Sequence, residues 1–159
     1  MLIDTHTHIY VDAFDNDRDE AIIRAQSAGV SQLILPAIDS KTTAVMHKVK
    51  QDFPEAIHLM MGLHPTHVGL NFEEELAHVK EQLDNHLFVA VGEIGMDLYW
   101  DKTYQSQQQE AFARQIDWAL DKNLPIVIHC RDAFAPIFEV LERVNDSRLR
   151  GVFHCFTGT

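Results

Sequence analysis

The chain has 159 residues, 46% of them hydrophobic, which fits one domain with a real core and excludes a disordered composition. It carries 13 Lys and Arg against 24 Asp and Glu, a formal net charge of −11. That balance argues against a general phosphate-backbone binder with a basic face, but not against an enzyme whose bound metal ions supply local positive charge.

Leu2-Ile3-Asp4-Thr5-His6-Thr7-His8 alternates and reads as a strand. Asp15-Asn16-Asp17 can cap a helix through Ile22, Ile23 and Ala25, with Gly29 as the residue that ends it. Residues 32–36 form a second, continuously apolar strand. A helix from about Lys41 to Asp52 presents Val45, Val49 and Phe53 at helical spacing. Residues 56–63 make the third strand, which ends in His64-Pro65. The next helix, about Phe72 to Asn85, places Leu76, Val79 and Leu83 on one face. Its first turn holds Glu73, Glu74 and Glu75, where negative charge suits the helix dipole. Phe88 to Val91 is the fourth strand. A loop from Asp97 to Tyr104 leads to a helix with Phe112, Ile116, Ala119 and Leu120 inward. Ile126-Val127-Ile128 is the fifth strand, a helix through Ile137, Phe138 and Leu141 follows, and Val152-Phe153 belongs to the sixth.

Strict alternation of buried strands and helices predicts a parallel sheet covered on both faces. A doubly wound open sheet and a β/α barrel both fit this pattern. The barrel is favoured because histidines and a glutamate stand at the ends of several strands, and strand ends converge on one rim only when the sheet closes. A (β/α)8 barrel has eight units, and this chain supplies six strands and five helices. It is therefore expected to be a single domain over residues 1–159, incomplete at its C-terminal side and part of a longer natural chain. No stretch approaches the ~20 apolar residues of a membrane helix. With the first strand at the N-terminus, no signal peptide is expected and the cytoplasm is the expected compartment. Cys130 and Cys155 each follow a histidine and form no C-x-x-C pair. Two small buried side chains is the favoured reading, with a disulfide as the alternative.

His6 and His8, two apart on an extended segment, point the same way with Cα atoms ~6.6 Å apart, a span that two imidazoles can close on one ion. Alone such a pair is a weak signal. Glu93 lies in Gly92-Glu93-Ile94-Gly95-Met96-Asp97, just past the fourth strand, and His129 and His154 close the fifth and sixth. Five metal-competent residues at the ends of four strands are hard to explain by packing, because buried unpaired polar groups cost free energy that a metal removes jointly.

His6-Thr7-His8, Gly62-Leu63-His64-Pro65, the Gly92 to Asp97 stretch, Ile128-His129-Cys130-Arg131 and His154-Cys155-Phe156-Thr157-Gly158 together resemble the TatD family of metal-dependent hydrolases, among the amidohydrolase-like barrels. The match runs the length of the chain. The resemblance implies a (β/α)8 barrel, a two-metal centre and hydrolysis of phosphodiesters, with DNA exonuclease activity. It implies that His6 and His8 bind one ion, Glu93 bridges, and His129 and His154 bind the other. It also implies an Asp ligand after an eighth strand, which this chain does not reach. Related barrels bridge their metals with a carbamylated Lys on the fourth strand, and no Lys stands there.

Arg131 is placed to hold a phosphate bidentately. His64 is a second phosphate contact by resemblance, or simply the turn residue before Pro65. Tyr99 and Trp100 could stack a base, with packing as a lid the preferred reading. Asp97 orients a ligand or its loop, and Asp4 stands behind the ligands. His47, His58, His78 and His86 read as structural. Four imidazoles favour Zn, Mn, Fe or Ni by softness, whereas the family is described as using Mg. The leading expectation is a nuclease for DNA or another phosphodiester, with Glu93, Arg131 and His64 in the chemistry. An ester or amide hydrolase, such as one acting on an aminoacyl-tRNA ester, and a non-catalytic metal-binding fragment are the alternatives.

Overall fold

A computed structural model describes residues 1–156. Thr157 and Gly158, the end of the last motif, and Thr159 lie outside the described residues.

Six strands alternate with five helices: β1 (Leu2–Asp4), α1 (Arg18–Ser27), β2 (Val30–Leu35), α2 (Thr43–Asp52), β3 (Ile57–Met61), α3 (Phe72–Asn85), β4 (Ala90–Asp97), α4 (Gln105–Asp121), β5 (Ile126–Arg131), α5 (Phe134–Val144) and β6 (Gly151–Phe153). Short 3-10 turns sit at Asp12–Phe14 and Pro65–His67. All five pairings are parallel and the strand order is sequential, β1 to β6. The sheet curls. Thr5, Ile34, Met60, Ala90, Ile126 and Val152, one from the end or body of each strand region, line a common concave cavity of about 530 Å³. The rings of His6 and His154, from opposite sheet edges, stack at 3.5 Å between centroids. The fold is six consecutive units of a (β/α)8-type barrel, as expected.

The helices cover the convex face. Ile22, Met46, Val49, Leu76, Val79, Phe112, Ile116, Ile137 and Val140 are buried there against the sheet. Each such side chain contributes about 1.5–3 kcal/mol by leaving water. Glu75 is buried because it accepts from Ser40 N at 2.8 Å and Ser40 Oγ at 2.9 Å, which ties the loop after β2 to α3. α1 ends at Ala28, with Gly29 at φ +95° beyond it, the left-handed geometry expected of that glycine. Among the described residues, no helix is long and apolar enough to cross a membrane.

Four local expectations need correction. The first strand stops at Asp4, so His6 and His8 lie on an irregular segment past its end, held by Thr7 N donating to Ile34 O at 3.0 Å. The fourth strand runs to Asp97, which puts the whole Gly92 to Asp97 stretch inside β4, all of it buried. The outer strands are not covered on both faces: Leu2 and Val152 are exposed. Both cysteines are free, and Cys155 is exposed rather than buried.

Candidate metal centre

Glu93 sits mid-way along β4 with its side chain 3% exposed, facing the C-terminal rim of the curl. The glycines around it let the backbone pass close to β5. A Cβ on Gly92 would stand 2.8 Å from Val127 Cβ, and one on Gly95, at φ +140°, would stand 2.1 Å from His129 O. The register then sets Gly95 opposite His129 and Asp97 opposite Arg131.

The Glu93 carboxylate is met from both sides. Its Oε2 lies 3.1 Å from His6 Nε2, 3.8 Å from His8 Nε2 and 3.7 Å from His64 Nε2. Its Oε1 lies 2.9 Å from His129 Nδ1. Among the described residues two groups of metal-competent atoms result, His6–His8–Glu93 and His64–Glu93–His129, with Glu93 common to both. A cation fits this donor set. Both ring nitrogens of His6 are buried yet make no aligned hydrogen bond, an arrangement that costs free energy unless a ligand uses them.

The histidines are oriented from behind, and the orientation decides their tautomers. Tyr10 is buried and its hydroxyl donates to Pro36 O at 2.6 Å, so that oxygen is free to accept from His8 Nδ1 at 2.9 Å. The proton of His8 is thereby placed on Nδ1, and the Nε2 lone pair faces Glu93. Asp4 accepts from the backbone N–H of His6 at 3.1 Å, which holds the segment that carries His6. His129 Nε2 lies 2.8 Å from Asp97 Oδ2, so Nε2 donates to that buried carboxylate and Nδ1 faces Glu93. His64 is the reverse. Its Nδ1 accepts from Thr66 N at 3.2 Å, which places the proton on Nε2, toward Glu93 and the cleft. That makes His64 a neutral donor, suited to an anionic oxygen, as well as the cap of the Pro65–His67 turn. His154 stacks on His6 and is not part of either group; His64 takes the position beside Glu93 and His129.

Titration follows these contacts. Burial alone would raise the Glu93 carboxyl, but the imidazoles close around it, His129 first and then His6 and His8, override it and hold the group well below the ordinary carboxylate range. Burial pushes His64 down to about 3, against the pull of Glu93, so it stays neutral at neutral pH. Burial would lower His129 too, yet its bonds to Glu93 and Asp97 win and its pKa is raised. With Nε2 donating to Asp97, the 2.9 Å contact from Nδ1 to Glu93 calls for either a second ring proton or a cation. His154 is lowered by burial and by neighbouring His6.

These residues open on a cleft of about 640 Å³, also lined by Tyr99, Arg131, Asp132 and Cys155, a size usual for small-ligand sites. Arg131 is exposed, and its guanidinium carbon lies 3.8 Å from the Tyr99 ring centre and 5.0 Å from that of Trp100. Asp97 contacts its own loop as well as His129, since Oδ1 also accepts from Tyr99 N at 3.1 Å. The structural histidines have local partners: His78 with Thr43 at 2.9 Å, His47 with Gln82 at 3.0 Å, and His86 beside the His47 ring. His58 sits within β3, away from the cleft. Sequence reasoning passed over Tyr10. Its only signal is an aromatic two residues beyond the His pair.

The family model described as TatD related DNase matches residues 3–159. A Bacillus subtilis protein named uncharacterized metal-dependent hydrolase YabD is 37% identical, over 100% of this chain and 62% of its own length. A Cronobacter sakazakii protein named 3'-5' ssDNA/RNA exonuclease TatD is 31% identical, over 99% of this chain and 60% of its own. The crystal structure of YjjV, a TatD homologue from Escherichia coli K12, superimposes with a TM-score of 0.89 at 30% identity, covering 99% of this chain and 61% of that one. The chain thus spans about three fifths of the length of the relatives it matches.

Proposed function

This chain belongs to the TatD-related DNase family, and we propose that the protein carrying it hydrolyses phosphodiester bonds at the ends of single-stranded DNA or RNA, using two divalent cations. The observation that carries the proposal is the position of Glu93: one buried carboxylate, with one oxygen facing His6 and His8 and the other facing His129. A carboxylate so shared is suited to bridge two ions. Relatives named as 3'-5' exonucleases of ssDNA and RNA support the choice of substrate.

In this reading His6 and His8 would hold one ion and His129 the other, with Glu93 available to both. His154 stacks on His6 in this structure and would serve the second ion only by the resemblance to the family. Magnesium, zinc, manganese and nickel each meet the charge requirement. When bound, two such ions lower the pKa of a water toward ~7 and stabilise the charge that develops on the attacking and leaving oxygens. The protein's residues do the rest. Tyr10 and Asp97 keep the His8 and His129 lone pairs directed at the centre. Neutral His64 donates from Nε2 to a phosphate oxygen. The guanidinium of Arg131, its face on Tyr99, offers its edge to the same phosphate. We further propose that residues 1–159 are one barrel domain, incomplete at its C-terminal side, with two more βα units needed to close it. Support comes from the six sequential strands and from the share of the relatives that they span.

The test is the full-length protein with a 5′-labelled single strand, an aminoacyl ester, and magnesium, manganese or zinc added to chelator-treated enzyme. The expected result is stepwise shortening from the 3′ end that stops on chelation. Hydrolysis of the ester alone, or no cleavage with any ion, would overturn the proposal.

A further inference from the structure

Beside the metal cleft lies a second, smaller groove of about 270 Å³, flanked by Pro65, His67, Trp100 and Tyr104. The two are adjacent along the chain: His64 lines the cleft and Pro65 the groove, Tyr99 the cleft and Trp100 the groove. Trp100 is 71% exposed, and its ring stands at 88° to that of Tyr99, with 4.8 Å between centroids. A large aromatic left so open in an ordered loop offers a free π-face.

The loop is fixed rather than loose. Leu98 is buried, and its N–H donates to Arg131 O at 2.9 Å, which ties the loop to the end of β5. Asp97 holds Tyr99 N with one oxygen and His129 with the other. One buried carboxylate therefore positions both a residue facing the candidate centre and the aromatic pair. Gln108, from α4, pairs with the Asp97 backbone on both sides, donating to its carbonyl and accepting from its N–H. Arg131 has its face on Tyr99 and forms no ion pair among the described residues, so the donors at its edge are free.

We propose that this groove is a base-binding subsite: Trp100 stacks the base of the nucleotide next to the one cleaved, while Arg131 holds the phosphate between them. The inference rests on the phosphodiesterase reading and adds a determinant of substrate form. A base can reach Trp100 only when it is unpaired and unstacked from its neighbour, so the subsite selects single strands. The neighbouring groups at the groove, Asp97 and Asp101, are acidic and Arg131 lies on the cleft side, which suits a base in the groove and a phosphate outside it.

The test measures binding without cleavage. The full-length protein, with magnesium, is titrated with a labelled trinucleotide carrying phosphorothioate linkages, and with the same strand lacking its middle base. Trp100→Ala and removal of the base should each weaken binding by about five- to 150-fold, the range for one base on one aromatic ring. Trp100→Phe should recover most of the loss. Combined, the two deletions should cost no more than either alone. Equal affinity for both strands, an unchanged Trp100→Ala variant, additive losses or no binding at all would overturn the subsite. Cleavage of the ordinary strand is read separately. Tight, base-dependent binding with no cleavage would sink the phosphodiesterase reading and leave the subsite standing, whereas cleavage with an unaltered KM in Trp100→Ala would do the opposite.

Discussion

Replacing Asp97 by Asn tests the tautomer argument with little change in size. Asp97 is 2% exposed, and both carboxylate oxygens accept, Oδ1 from Tyr99 N at 3.1 Å and Oδ2 from His129 Nε2 at 2.8 Å. An asparagine has one oxygen and one amide donor. If the oxygen keeps Tyr99, the amide must donate to His129 Nε2, which drives the ring proton to Nδ1. That proton then bonds to Glu93 Oε1, 2.9 Å away, and the lone pair facing the centre is lost. Changes to groups that orient a metal-bound histidine lower metal affinity by about 10- to 100-fold, or ~1.4–2.7 kcal/mol. If the amide turns the other way, Tyr99 N loses its acceptor, which costs ~1–3 kcal/mol and lowers Tm by roughly 2–12 °C for a domain of this size. The assay is a chelator-competition titration alongside thermal denaturation of the metal-free protein. Unchanged affinity for both ions together with an unchanged Tm would refute the reasoning. A lowered Tm with unaltered metal affinity would reduce Asp97 to a staple for the Tyr99 loop.

Glu93→Gln should abolish activity and sharply lower metal content by elemental analysis; a variant keeping both ions and near-normal turnover would remove the bridging role. Tyr10→Phe leaves His8 Nδ1 without its acceptor and should weaken the His6–His8 side by about 10-fold or more while sparing the other ion, which a stoichiometric metal titration resolves. Arg131→Ala should raise KM for a strand with metal content intact, and loss of metal at constant KM would count against its place at the phosphate. Gly95→Ala should unfold the protein or displace His129, since the new Cβ would meet His129 O at 2.1 Å in a backbone at φ +140°. A well-folded variant with full metal content, judged by circular dichroism and elemental analysis, would mean that β4 and β5 separate more easily than the packing implies.

The alternation of units was legible because each strand is a short apolar run and each helix carries its own periodicity; α3 occupies Phe72–Asn85 as read. The limits of β4 were not legible. Gly92 and Gly95 read as strand-ending residues, whereas here they mark close approach to β5, and glycine serves either purpose. His6 and His8 alternate like strand residues, but regular pairing with β2 stops at Asp4. The identity of the residues near Glu93 was visible as strand-end histidines. Which of them sits where was not, because that depends on cross-strand register and side-chain direction. The pairing of Gly95 with His129 aims His129 at Glu93, and the turn at Pro65 brings in His64, while His154 goes to the His6 ring. Tyr10 and Asp97 act through hydrogen bonds to side chains and carbonyls, which leave no periodic trace.

Curvature is what makes the centre possible. Six strands laid flat at about 4.8 Å would separate β1 from β6 by roughly 24 Å. Instead the His6 and His154 rings from those two edges touch at 3.5 Å, and Glu93 from β4 reaches His6 and His129 at once. The curl carries a cost in the metal-free chain. It gathers five histidines and a carboxylate into one rim, leaves both nitrogens of His6 without an aligned hydrogen bond, and sets His129 Nδ1 2.9 Å from Glu93 Oε1, a contact that calls for a proton or a cation. Cations held by this rim would satisfy those groups together and join the segment after β1 to β4 and β5, strands that do not otherwise pair with β1. Binding the ions and holding the curl are then one free-energy change. The buried carboxylate on the central strand links the chemistry to the fold.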